Sequence, residues 1–291
     1  MSAGPGAATL RDPAPHRDSA RVTTTEEPER GAAARSLPGR GEDLLIREEP
    51  LWIEVHGHRL LTMRTPGQDR ELAIGFLLGE GVIDRAERIA SVQELPGRAD
   101  ALVPDTVRVT LHDVTAAKLE GRLTRTHEIR PSCGVCGLVD ADHLLDEIPP
   151  LLPGVPRLRR DDLEARRRAF AASQPLFAAT GACHGAVLFA PDGTRWGSGE
   201  DVGRHNALDK AIGAAALAGH PLHLATAMLS GRAGFDLVLK CLRVRIPVIL
   251  SVSAPSALAF DLCRSAGATL LGFVREGRAQ LYCDGGRLED A

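Results

Sequence analysis

Pro247-Val248-Ile249-Leu250-Ser251-Val252-Ser253-Ala254-Pro255-Ser256 is the stretch from which the fold can be read. Its first six residues predict a strand, and the proline suits the first turn of a helix, with Ser253 as its expected N-cap. Working outward, a helix is expected over Ser256–Ala266, a strand over Thr269–Val274, a Glu276-Gly277 turn, and a last strand over Ala279–Tyr282. Upstream, the pattern gives a helix over Phe235–Arg243, a strand over Leu222–Thr226, and a helix over Ala207–Ala218 closed by Gly219 and Pro221. Before that helix, Ala186–Ala190 and Thr194–Trp196 flank a Pro191-Asp192-Gly193 turn as a hairpin. Strands alternating with helices predict a three-layer α/β sheet with right-handed crossovers. Ligands in such a sheet sit beyond the carboxyl ends of the strands.

The rest of the chain divides around this part. Residues 1–41 are rich in Pro, Gly, Ala, Thr and Arg and carry almost no apolar periodicity, so they are expected as a disordered tail. Residues 42–127 are expected as a small α+β domain. Leu51–Val55 and Arg59–Met63 are its first two strands, joined by a His56-Gly57-His58 turn. A helix follows over Glu71–Glu80, and Val107–His112 alternates as a half-buried strand does. Residues 128–140 are a flexible C-x-x-C loop, and 141–291 form the α/β domain, entered through a short helix and a Pro-rich connector ending at Pro156. Asp161–Phe170, acidic at its start and basic toward its end, reads as a helix with a solvated charged face.

Composition sets limits on function. A net charge of −3 and a pI near 6.4 give no bulk attraction for nucleic acid or an anionic membrane. No secretory leader or membrane-spanning run is apparent, so a cytoplasmic protein is expected. Six cysteines in 291 residues are too sparse for a disulfide scaffold. In a reducing compartment, a C-x-x-C pair is more often metal-binding or redox-active than a structural bridge.

That pair is Cys133 and Cys136, within Arg130-Pro131-Ser132-Cys133-Gly134-Val135-Cys136-Gly137. Its residues allow three readings. One is a zinc knuckle, although no second C-x-x-C exists. The second is a thioredoxin-type redox pair, although such a pair normally opens a helix and here glycines flank both thiols. The third is a carrier in which the Cys133 thiolate, favoured by nearby Arg130, takes a sulfane sulfur as a persulfide and passes it on. Cys183 and His184 could complete a Cys₃His zinc site with the pair. Adjacent side chains on a strand diverge, however, which opposes their sharing one ion. Three polar segments lie where strands end and helices begin: Gly199–Asn206, Ser230-Gly231-Arg232 and Ser253–Ser256. With Arg204, Arg232, Arg275 and Arg278 they predict a phosphate-bearing ligand at one sheet edge.

Several of these motifs occur in one order: Ser132–Gly137, Thr180-Gly181-x-x-His184, Glu200-Asp201-Val202-Gly203-Arg204-His205-Asn206-Ala207-Leu208-Asp209-Lys210, Ser230-Gly231-Arg232 and Ser253-Ala254-Pro255. Together they resemble the formate dehydrogenase accessory sulfurtransferase (FdhD) family from about Leu44 onward. The resemblance implies a homodimeric cytoplasmic sulfurtransferase with a cytidine-deaminase-like C-terminal domain. It implies that sulfur comes from a cysteine desulfurase and goes to the bis-molybdopterin guanine dinucleotide molybdenum cofactor, as bound substrate, before insertion into formate dehydrogenase. Cys133 falls on the persulfide carrier and Cys136 on a thiol that assists it or is a second carrier. The cofactor-binding segment falls on Phe273, Val274, Arg275, Glu276, Gly277 and Arg278, with Ser230, Gly231, Arg232 and Ser253 completing the sheet edge. No permanently bound metal is expected, and neither nucleic acid nor membrane is an expected partner. Cys183 beside His184 departs from the pattern. The competing reading is a zinc-dependent deaminase-like hydrolase holding its metal through Cys133, Cys136 and His184; it lacks the Glu that such deaminases place beside a ligating His.

Overall fold

The computed structural model describes residues 31–39, 41–98, 101–112 and 148–289. Cys133, Cys136 and the rest of the expected 128–140 loop lie outside the described residues. Within them the fold is mixed α/β.

The smaller sheet contains β3 (Glu49–Val55), β4 (His58–Arg64), β5 (Ile89–Leu95) and β6 (Asp105–Leu111), in the order β4-β3-β6-β5. Alternation gives β3 one buried face: Leu51, Ile53 and Val55 pack with Val107 and Val109 against helix α1 (Asp69–Gly79). The β3–β4 turn is a two-residue loop, His56-Gly57, with both residues at positive φ (46° and 87°), as its tight twist demands. His56 is held there because its Nε2 accepts from the Leu111 amide at 3.0 Å.

The larger sheet has the order β13-β12-β11-β10-β8-β9. Its strands are β8 (His184–Phe189), β9 (Arg195–Asp201), β10 (Thr226–Leu229), β11 (Val248–Ser251), β12 (Thr269–Arg275) and β13 (Arg278–Cys283). The central three are parallel, and antiparallel pairs flank them on both sides. Both faces are covered. Ala227, Leu229, Ile249 and Leu270 meet apolar residues of helices α4 (Arg204–Leu217), α5 (Phe235–Arg243) and α6 (Ala257–Ser265). Met228, Val248, Leu250 and Leu271 face the other way, onto Phe170 of helix α2 (Asp162–Ala172). Residues alternating between the two faces are what a fully buried strand requires.

The two sheets share one apolar core through α1 and α4. These helices meet backbone to backbone: a methyl group on Gly75 would overlap the Asp209 carbonyl, and one on Gly213 the Glu71 carbonyl. On its other side α4 lies just as close to β9, since a Cβ on Gly197 would overlap the Ala211 carbonyl.

Five expectations change. The strand placed at Leu222–Thr226 begins at Thr226, because Leu222–Leu224 form a 3₁₀ turn and only Ala225 onward is fully buried. Ser256, not Ser253, caps α6, accepting from the Ala259 amide at 3.2 Å. Ala32–Leu37, read as tail, forms strand β1 paired with β2 (Gly41–Ile46), and Ala32 packs against Leu176 and Cys183. This order comes from tertiary contact rather than local pattern. A short helix, α3 (Pro175–Thr180), was not foreseen. The Asp161–Phe170 face is only partly solvated: Arg166 is buried and donates to the Ala190 and Pro191 carbonyls at 3.3 and 2.7 Å.

Candidate functional site

The segments following β10, β11 and β12 converge at one edge of the larger sheet. The Ser251 hydroxyl donates to the Gly231 carbonyl at 2.6 Å, the Ser253 amide to the Ser251 hydroxyl at 3.2 Å, and the Phe273 amide to the Ser253 carbonyl at 3.1 Å. Ser230, Gly231, Ser253 and Phe273, far apart in sequence, are thus laced into one surface. A register shift between Gly272 and Arg275 bulges β12, and Phe273 sits at φ 50°, a conformation that a bulky residue adopts only where its surroundings force it. The bulge lays the Arg275 guanidinium over the Phe273 ring, 5.7 Å from its centroid, with Nε 3.3 Å from the Val252 carbonyl.

Beside this edge opens a cleft of about 600 Å³. Its walls bring together His184, Ser230, Val274, Arg275 and Glu276 from three of the motifs in the sequence. Gly231 lies beside His184: a Cβ there would come to 3.5 Å from its Nδ1, an ordinary contact. Arg232 is exposed and Ser253 acts through its backbone, so neither lines the cleft. Gly277 and Arg278 line a separate groove behind the turn. Phe170, Gln174, Phe177 and Arg167 also line the cleft and were missed. They arrive from α2, from α3 and from the N-cap of α3 by packing, and their spacing carries no signal.

Ser230 Oγ accepts from the Gly185 amide at 2.9 Å and lies 3.3 Å from His184 Nδ1, a hydrogen bond that fixes the ring's orientation. Burial and then Arg204 hold the imidazole below its usual range.

Cys183 also lines the cleft, but its thiol is committed to a carboxylate. Its thiol donates to Glu200 Oε1 at 3.3 Å, and burial reinforced by that carboxylate pushes its pKa up. The Glu200 carboxylate also accepts from the Leu176 and Phe177 amides at 2.9 and 2.8 Å. Cys183 and His184 therefore face different partners. Among the described residues no group of three or more His, Cys, Asp or Glu is placed to hold a metal ion. Iodoacetamide at neutral pH is expected to leave Cys183 unmodified in the folded protein, measured by peptide mapping. Stoichiometric alkylation would contradict this geometry.

The Gly199–Asn206 segment, expected to present an anion site, and Lys210 beyond it join the two sheets. Asp201 is fully buried. It pairs with Lys210 Nζ at 2.8 Å and accepts from the Thr65 amide at 2.9 Å and the Gly203 amide at 2.8 Å. The positive end of α4 thus already holds a carboxylate of its own chain. Lys210 also donates to the Thr65 carbonyl at 2.7 Å, and Asn206 to the Met63 carbonyl at 2.7 Å. Among the described residues, no helix is long and apolar enough to cross a membrane.

Comparison with known proteins agrees with these motifs. A sulfur carrier protein FdhD from Anaeromyxobacter dehalogenans (strain 2CP-C) is 44% identical over 86% of this chain and 90% of its own length. The protein of that name from Mycobacterium tuberculosis (strain ATCC 25618 / H37Rv) is 37% identical over 89% and 96%. A crystal structure from Desulfotalea psychrophila, described as a candidate formate dehydrogenase accessory protein, matches 89% of this chain and 97% of its own. Its TM-score is 0.67 and its identity 26%. The family model FdhD/NarQ matches residues 46–289. On this match and these relatives, the chain belongs to the FdhD/NarQ family.

Proposed function

We propose that the protein is a sulfur carrier that serves formate dehydrogenase, taking sulfur from a cysteine desulfurase and handing it to the bis-molybdopterin guanine dinucleotide form of the molybdenum cofactor. The convergence of His184, Ser230 and Val274–Glu276 on one cleft supports this reading most directly. Phe170 and Phe177 offer flat apolar walls for a base, and Arg275 offers a charge for phosphate. The cofactor is the substrate, and its metal arrives with it.

In loading, the Cys133 thiolate attacks the terminal sulfur of the donor persulfide. A new S–S bond forms on Cys133, the donor's S–S bond breaks, and the donor cysteine leaves as a thiolate. Cys136 assists as a second thiol. The C-x-x-C pair lies in the chain between β6 of the smaller sheet and Ile148, which packs on the shared core. In this reading residues 42–127 and 141–291 act as two units linked by the 128–140 loop, the larger unit has the layering of a cytidine deaminase, and the protein works as a homodimer in the cytoplasm.

Arg275→Ala combined with Arg278→Ala tests the nucleotide half of the proposal. Losing two charge-assisted contacts is expected to weaken GDP binding about a hundredfold while persulfide loading of Cys133 stays at the wild-type level. Calorimetry and gel-based persulfide trapping read the two separately. Equal loss of both would point to a fold defect and remove the support.

A further inference from the structure

Two thiols far apart in sequence meet beside the first residues of β12, at the opposite end of that strand from the cleft. Cys263 comes from the last turn of α6 and Cys283 from the end of β13. Antiparallel pairing sets Cys283 against Leu270. The chain leaves α6 for β12 through Ala268, whose amide donates to the Cys263 carbonyl at 2.8 Å. Both side chains pack in the shared core, Cys263 fully buried within it and Cys283 half-buried at its margin. No short motif marks the pair, because the whole of β12 lies between its members.

The two sulfurs are hydrogen-bonded to each other, and they are not equivalent. The Cys263 thiol is the donor, and that bond, reinforced by burial, pushes its pKa up. Cys283 accepts from Cys263 and from the Leu270 amide, which hold it below the ordinary thiol range. When protonated, Cys283 has the Ala268 carbonyl as its acceptor, 3.5 Å away. A thiolate open to solvent with a thiol behind it is the arrangement in which a dithiol is oxidised in two steps.

We infer that Cys263 and Cys283 form a dithiol that hydroperoxides oxidise to a disulfide, with Cys283 as the attacking sulfur and Cys263 as the resolving one. The Cys283 thiolate attacks one oxygen of the peroxide; the O–O bond breaks, and the leaving oxygen is protonated. Cys263 then attacks the sulfenic sulfur of Cys283. The S–S bond forms, the S–O bond breaks, and hydroxide leaves with the Cys263 proton as water. The dithiol loses two electrons and the peroxide gains them. The product pins α6 to β13, and exchange with an external thiol reverses it. This site stands apart from the cleft and does not depend on the sulfur-carrier reading.

Peptide mapping of the full chain tests it. Cys133→Ser and Cys136→Ser are introduced together to remove the C-x-x-C pair as a competing dithiol. The folded protein is treated with hydrogen peroxide, blocked with N-ethylmaleimide and digested without reductant. Mass spectrometry is expected to find the Cys263 peptide joined to the Cys283 peptide, and dithiothreitol to separate them. Adding Cys263→Ala should abolish the link and leave on Cys283 a sulfenic acid that dimedone traps. Adding Cys283→Ser should abolish both the link and the dimedone adduct. Cys241→Ala, which removes the buried thiol near Cys263, should keep the link. Oxidation of Cys283 to sulfinic acid with Cys263 still free, a link that forms only after unfolding in guanidinium, or a link from Cys263 to Cys241 instead would each overturn the inference. These outcomes are read with Cys263 and Cys283 both in place, so a variant that fails to fold cannot decide them.

Discussion

Cys133→Ala is expected to fold and to bind GDP normally, yet to acquire no sulfane sulfur from a desulfurase and to yield no active formate dehydrogenase. The prediction is strong because the described cysteines make poor substitutes. Cys183 is buried and donates its proton to Glu200. Cys241 is fully buried, which pushes its pKa up to about 12. Cys263 is also fully buried, and its thiol donates to Cys283. A buried protonated thiol is neither a good nucleophile nor accessible to a protein donor. Cys283 is the exception: it is half-buried, and the Cys263 thiol draws it toward thiolate, so Cys133→Ala with Cys283→Ser is the matched control. Persulfide trapping on gels, with formate dehydrogenase assayed in parallel, reads the outcome. Wild-type loading of Cys133→Ala that also survives in the double variant would remove Cys133 as the carrier.

The second large effect lies in the joint between the sheets. Lys210→Met keeps most of the side chain's length and removes its charge, leaving Asp201 buried beside no cation and the Thr65 and Glu200 carbonyls without their donor. Breaking a buried pair from one side costs about 3–5 kcal/mol, so the variant should unfold at a markedly lower denaturant midpoint. Asp201→Asn added to Lys210→Met should recover part of the loss, because no uncompensated charge then remains. A loss below about 1 kcal/mol for the single variant would show that the pair contributes little to holding the sheets together.

The α/β core was legible because its signals are local. Phe235–Arg243 is a helix over the predicted span, and the strands at 247–252 and 269–274 are correct to within a residue at each end. Leu222–Thr226 failed for a local reason too: Leu222-His223-Leu224 alternates as a strand does, yet it forms a 3₁₀ turn, and pairing begins only at Thr226. The site was legible only in part. Ser230, Val274, Arg275 and Glu276 stand at strand ends, where the topology places ligands. Phe170 and Phe177 reach the same cleft from outside those motifs, through packing that no spacing encodes. The Gly199–Asn206 segment carried the opposite hazard: a glycine, an arginine and a helix start suggested an anion site, while Asp201 had already filled the helix end from within.

The crossing at Gly75 and Gly213 has a mechanical consequence. With no side chain between the two helices at their crossing, no change of rotamer there can make room, so a side chain added at either glycine must push the smaller sheet off α4. Leu111 of β6 and Ile148 both pack on the core that these helices share, which sets both on one frame.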